Sequence, residues 1–217
     1  MKKTLLVIFI GLYSLSNAIA QSENDSLIYA EGLALLNKAA TPGQFLESAS
    51  YFEKILSENP DHWLASYYTG LSIILAAKNT TPGHNTDQLL DRAQQYVDRA
   101  LSMTSDEPEN HILQAFLYQV RLLADPQGRA LNFSQKAEAS LKKAMSADSG
   151  NPRAYFLMAN NVYFTPPVFR GGPKNALPVF IKAKEKFKSF IPHLSFAPDW
   201  GEEQNVEMIK LCSTPKG

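Results

Sequence analysis

The segment Ala93-Gln94-Gln95-Tyr96-Val97-Asp98-Arg99-Ala100 decides how the rest of the chain is read. Alanine, a large apolar residue four positions on and alanine again three later share one face of an α-helix. There the alanines let a neighbouring helix approach and the larger side chain fills the space between. The same spacing returns at Ala137, Leu141 and Ala144, at Ala176, Phe180 and Ala183, and more loosely at Ser48, Phe52 and Ile55. Recurrence at intervals of 39 to 45 residues predicts a repeat architecture.

Upstream of each such helix lies another rich in aromatic residues, usually entered through a proline turn: Asn59-Pro60-Asp61, Glu107-Pro108-Glu109 and Asn151-Pro152-Arg153. Proline suits the first helical turn because its missing N–H has no partner there, and Asn or an acid suits the cap. Helices are therefore expected at roughly 24–38, 44–58, 61–78, 86–103, 108–124, 132–147, 152–164 and 173–188, with a ninth near 202–212. Apolar residues recur at three and four rather than two, which gives an all-α chain without strands. Three inserts separate helices: residues 78–85, 125–129 and 165–173.

Ala, large apolar, Ala, followed by an Asn-Pro turn, resembles the second helix of a tetratricopeptide (TPR) repeat. Gly70, in Tyr67-Tyr68-Thr69-Gly70, resembles the small residue of the first. The resemblance covers nearly all of residues 21–217 and departs from the family in period, whose unit is about 34 residues. It implies an α-solenoid of about four TPR-like helix hairpins. The last unit, Tyr163-Phe164-Thr165-Pro166-Pro167-Val168-Phe169-Arg170-Gly171-Gly172-Pro173 with Pro198-Asp199-Trp200-Gly201 further on, resembles repeat proteins exported by Bacteroidota-type bacteria. The aromatic, proline-rich segment Phe190 to Gly201 is expected to cap the fourth hairpin, since terminal repeats need an atypical cover.

Residues 1–20 read as a signal peptide: Lys2 and Lys3, an apolar run from Leu5 to Tyr13, then Ala18-Ile19-Ala20 before Gln21. That run is too short to span a bilayer, so the expectation is an exported, periplasmic or secreted protein beginning at Gln21. Hydrophobic residues make up 45% of the chain and charged residues 19%, which is too apolar for sustained disorder. Removing residues 1–20 leaves 19 basic against 21 acidic residues, and the one basic cluster, Lys182 to Lys188, is interrupted by Glu185. Nucleic acid is not an expected partner.

Chemistry finds little support in the sequence. His62, His84, His111 and His193 lack metal-ligand spacing, Cys212 stands alone without an identifiable base, and no nucleotide-binding or nucleophile-elbow pattern occurs. No cofactor and no catalytic residue is expected, and the chain is read as a binding module rather than an enzyme. The leading expectation is a concave face, lined by first helices, that grips a peptide or protein of the cell envelope. The alternative is a small-molecule carrier working beside an envelope transporter, with the aromatic and amide groups forming an enclosed pocket. A helical-scaffold hydrolase is a distant third. Tyr67, Tyr68, Gln114, Tyr118, Tyr155, Asn160, Asn161 and Tyr163 are the partner-binding candidates on first helices, each weighed against plain packing between repeats. Phe169 and Arg170 in the 165–173 loop are candidates too, although a structural connection with Phe169 tucked under the final helices is the favoured reading there. Trp200 is read as part of the cap.

Overall fold

The structure, a computed structural model, describes residues 26–192 and 194–214. The signal-peptide reading, the Gln21 start and His193 lie outside the described residues. Among the described residues nine α-helices follow one another: α1 (26–38), α2 (Pro42–Glu58), α3 (Trp63–Lys78), α4 (His84–Met103), α5 (Pro108–Ala124), α6 (Pro126–Ala147), α7 (Pro152–Phe164), α8 (Pro173–Ser189) and α9 (Glu202–Ser213). A single 3-10 turn, Pro167–Phe169, interrupts the link from α7 to α8. Strands are absent among the described residues. Helices α2 to α8 pack in sequence order, while α3 also touches α5 and α5 touches α7, so the first helices stand in a row. The fold is the α-solenoid of four hairpins that the periodicity predicts, closed by α9.

Local chemistry explains where the helices begin. Thr41 and Gln44 form a reciprocal capping box, the Thr41 hydroxyl accepting from the Gln44 N–H and the Gln44 side chain accepting from the Thr41 N–H at 3.1 Å. Glu107, Asp125 and Asn151 cap α5, α6 and α7, each followed by proline at the first helical position. Most boundaries fall within two residues of the expected ones, and two helix starts depart from the expected chemistry. Helix α6 starts at Pro126 and not near 132, because the Asp125 carboxylate accepts from the Gly128 N–H at 3.1 Å and turns the 125–129 insert into helix. Pro60, by contrast, lies in the link between α2 and α3, whose N-cap is His62.

The Ala, large apolar, Ala triads of α4, α6 and α8 are wholly buried, as are Ser48, Phe52 and Ile55 on α2. The looser Ser48 fits because its hydroxyl donates to the Gly32 carbonyl at 2.9 Å, so burying it leaves no hydroxyl unpaired. Gly70 plays the small-residue part: a Cβ there would lie 3.4 Å from Leu113 and 3.5 Å from Val97, with little room for more. Two apolar clusters result. One joins α1 to α5 around Phe52, Tyr67, Tyr68 and Ile74, and the other joins α5 to α9 around Leu141, Leu157 and Phe180. Helix α5 feeds both, giving Leu113 and Leu117 to the first and Ile112 and Ala115 to the second.

Charge is buried at the junction of the last two hairpins. Arg153 at the start of α7 and Glu109 at the start of α5 are 2% and 4% exposed, with the Arg153 Nε donating to both Glu109 oxygens at 3.0 Å and its Nη2 to Oε1. Asn151 donates to the same carboxylate at 2.6 Å. Burial alone would lower the Arg153 pKa, but the facing carboxylate outweighs it and holds the pKa above its ordinary value.

The C-terminal segment does more than cover the fourth hairpin. Residues 190–192 and 194–201 run back across the row of first helices: the Phe190 ring lies 4.8 Å from the Arg153 guanidinium, and the Phe196 ring stacks on Tyr29 of α1 at 5.2 Å. The Tyr68 hydroxyl donates to the Phe196 carbonyl at 2.6 Å, and the Trp200 indole N–H to the Tyr67 hydroxyl at 2.8 Å. Phe196 takes a positive φ of 57°, a costly conformation for a bulky side chain, offset here by the stack and the hydrogen bond.

Candidate functional site

The row of first helices leaves a large hollow beside the point where the C-terminal segment crosses it, of about 900 Å³. Its walls repeat the helical period: Leu71, Leu75 and Lys78 from α3, Phe116, Val120 and Leu123 from α5, and Phe156, Asn160 and Phe164 from α7. Ala130, Leu131 and Ser134 of α6 also line it, as do Trp200 and Gln204, Glu207 and Met208 of α9. Phe116 and Trp200, both in the wall, stack on one another at 5.6 Å. The surface is chiefly aliphatic and aromatic, with a few amides and hydroxyls between, the composition of a small-molecule site of the upper size range.

Several rim residues are apolar and open to solvent. Leu131 is 73% exposed, Phe164 59% and Phe169 73%. The link that carries Phe169 is held tightly all the same. The Gly172 N–H donates to the Val162 carbonyl at 2.9 Å, the Thr165 hydroxyl to the Asn161 carbonyl at 2.8 Å, and a Cβ at Gly171 would sit 2.0 Å from the Thr165 oxygen. The expectation that Phe169 tucks under the final helices is therefore corrected: the Pro-Gly link fixes its own backbone and presents Phe169 at the cavity mouth.

The structure distributes the other sequence candidates over quite different settings. Asn160 and Asn161 line the cavity, Asn161 with its amide donated to the Ser134 carbonyl at 3.0 Å. Tyr67 and Tyr68 are buried, their hydroxyls engaged by Trp200 and donated to Phe196. Burial, with Glu109 adding to it, raises the Tyr67 pKa well above the ordinary tyrosine value. Gln114 is buried and paired with Gln94, 2.7 Å away. Tyr118 lies half-buried against Phe133, its pKa raised by burial, and Tyr155 packs under Lys182 and Lys186. Tyr163 contacts Phe164 and Phe180, and Arg170 is exposed in the left-handed region at φ 63°. Trp200, read as a cap, serves both as cap and as cavity wall.

Leu71, Leu75, Lys78, Phe116, Leu131, Phe164 and Met208 were not singled out in the sequence. The available signal was α3 itself, apolar on every side from Leu64 to Ala77, where one stripe of a two-layer hairpin would have sufficed. No group of three or more His, Cys, Asp or Glu able to hold a metal occurs among the described residues, and no helix among them is long and apolar enough to cross a membrane.

No family model and no curated protein matches the sequence. Among solved structures the chain is similar to TTC0263, a thermophilic TPR protein of Thermus thermophilus, at 16% identity with a TM-score of 0.61, over 97% of this chain and 100% of that one. It is also similar to the HusA haemophore from Porphyromonas gingivalis, a member of the Bacteroidota, at 29% identity with a TM-score of 0.76, over 86% of this chain and 91% of that one. The chain is a TPR-like helical repeat protein. The row of first helices, with its cavity, is the architecture of an interaction module.

Proposed function

We propose that this TPR-like protein is an exported carrier of a flat, largely apolar small molecule of the haem class, held in the cavity between α3, α5, α6, α7 and α9. The observation that carries the reading is the cavity itself: about 900 Å³ within apolar walls, with stacked Phe116 and Trp200 among them and exposed Phe164 and Phe169 at the rim. A wide aromatic ligand gains most from such walls through area removed from water and from ring contacts. Likeness to a haemophore at 29% identity, over nearly the full length of both chains, supports the same ligand class. Export follows from the N-terminal sequence, and an intact mass beginning at Gln21 is the measurement that checks it.

A peptide or protein partner, the first expectation from sequence, is the less well supported reading. Residues 190–192 and 194–201 already lie along α1, α3 and α7, where an extended peptide would run. The test is a titration of residues 21–217 with haem, following the Soret band and the quenching of Trp200 emission, with Trp63 outside the cavity. Saturable one-to-one binding in the micromolar range or tighter is expected, lost in Leu75→Glu combined with Leu131→Glu. A linear, non-saturating response identical in that variant would sink the reading.

A further inference from the structure

Apolar walls hold any apolar molecule of suitable width, and selection among such molecules falls to the few polar groups aimed inward. Two charged side chains line the cavity among the described residues, Lys78 and Glu207. Glu207 already faces Lys210, 2.8 Å away. Lys78 is different. It ends α3 at the cavity wall, its ammonium 6.0 Å from the centre of the Phe116 ring, and it makes no ion pair or hydrogen bond among the described residues. The contact with Phe116 is at the long limit of a cation–π interaction and does little to replace a counter-charge. Lys78 as a whole is exposed, and although burial lowers its pKa, the ammonium stands at the cavity edge in reach of water and of a ligand anion, with no protein carboxylate paired to it among the described residues.

We propose that Lys78 is the counter-charge for a carboxylate on the ligand, so that the cavity selects flat apolar acids over neutral molecules of the same shape. The proposal rests on the small-molecule reading above and adds a polarity to it. The ring system lies against Leu71, Leu75, Phe116 and Leu131, and the acid lies at the α3 end. Asn160, also on the wall and with a side chain that makes no hydrogen bond among the described residues, is placed to donate to a second polar group of the ligand. Gln119 is not, since its amide is donated to the Leu157 carbonyl at 2.7 Å.

Protoporphyrin IX and its dimethyl ester share a ring and differ in charge, which makes them the probes. Both are titrated, in the same detergent, into residues 21–217 carrying Lys78, Lys78→Gln or Lys78→Arg. The native protein is expected to prefer the diacid by about tenfold, the equivalent of ~1.4 kcal/mol. Lys78→Gln removes the preference by weakening the diacid far more than the ester, and Lys78→Arg retains most of it. If both porphyrins bind the native protein equally, or Lys78→Gln keeps the tenfold preference, the assignment of Lys78 is overturned while the cavity reading stands. Failure of both porphyrins to bind the native protein overturns the cavity reading, and the assignment with it.

Discussion

Helix α3 shows two surfaces of one first helix put to opposite uses. Its N-terminal half offers Tyr67 and Tyr68, whose rings are covered and whose hydroxyls are satisfied by Trp200 and Phe196. Its C-terminal half offers Leu71, Leu75 and Lys78 to an open hollow. The chain has, in effect, supplied its own occupant for one part of the concave side and left the other part free. Filling requires polar tips that find partners, because a buried hydroxyl without one costs about 1–3 kcal/mol. A surface awaiting an apolar ligand is best built from side chains that ask for no partner at all.

The covered region should be the more sensitive to mutation, and its charged anchor most of all. Glu109→Ala leaves Arg153 buried against Phe190 without its carboxylate, a loss of about 3–5 kcal/mol readable as a fall in the denaturation midpoint. Because Glu109 and Arg153 belong to different hairpins, the loss should loosen the C-terminal segment as well, with hydrogen exchange rising at residues 194–201. Exchange confined to α5 would show that the segment is held independently of the ion pair.

Close helix contacts come next. Ala137 is fully buried on α6, and Ala137→Trp forces a large ring into that packed position at a cost of about 1–3 kcal/mol. An unchanged melting temperature would remove α6 from the repeat pattern. A smaller effect belongs to Trp200→Phe, which keeps a ring on Phe116 and withdraws the indole N–H from Tyr67. About 1 kcal/mol of stability should go with that hydrogen bond. Since Trp200 touches both the covered and the open region, the same variant tests whether the seal shapes the cavity: haem affinity should drop with stability, and affinity unmoved by the change would show the two regions to be independent.

What could be read in advance follows from which side chains meet which partners. The triads Ala93, Val97, Ala100 and their counterparts are local, set by the three-and-four spacing of one helix, and they lie fully buried as that spacing requires. The proline caps at Pro108 and Pro152 are equally local. Residues 190–201 show the opposite. Their aromatic and proline content indicates a cover, but that Phe196 reaches Tyr29 and Trp200 reaches Tyr67 depends on contacts spanning most of the chain. Tyr67 and Tyr68 mislead for a related reason, since an amphipathic ring suits a binding face and a sealed interior alike until its partner is known. The cavity was hardest to foresee because Leu71 and Leu75 carry no polar mark, and an aliphatic residue facing a hollow has the same sequence signature as one facing a core.

The smallest stability effect is the one that separates the two regions most cleanly. Phe164 is 59% exposed at the cavity rim, touching Tyr163 edge-on at 5.0 Å, so Phe164→Ser removes little packing and should shift stability by no more than about 0.5 kcal/mol. Haem affinity should nonetheless fall several-fold, because the lost ring leaves ligand surface in water at roughly 25 cal/mol for each Å² uncovered. Tyr68→Phe is the counterpart in the covered region: the Phe196 carbonyl loses its donor, stability falls by about 1 kcal/mol, and affinity for haem is untouched. If instead Phe164→Ser costs as much stability as Tyr68→Phe and leaves binding alone, the rim is merely an exposed edge of the core. The difference between a region the chain has filled and one it keeps open would then disappear.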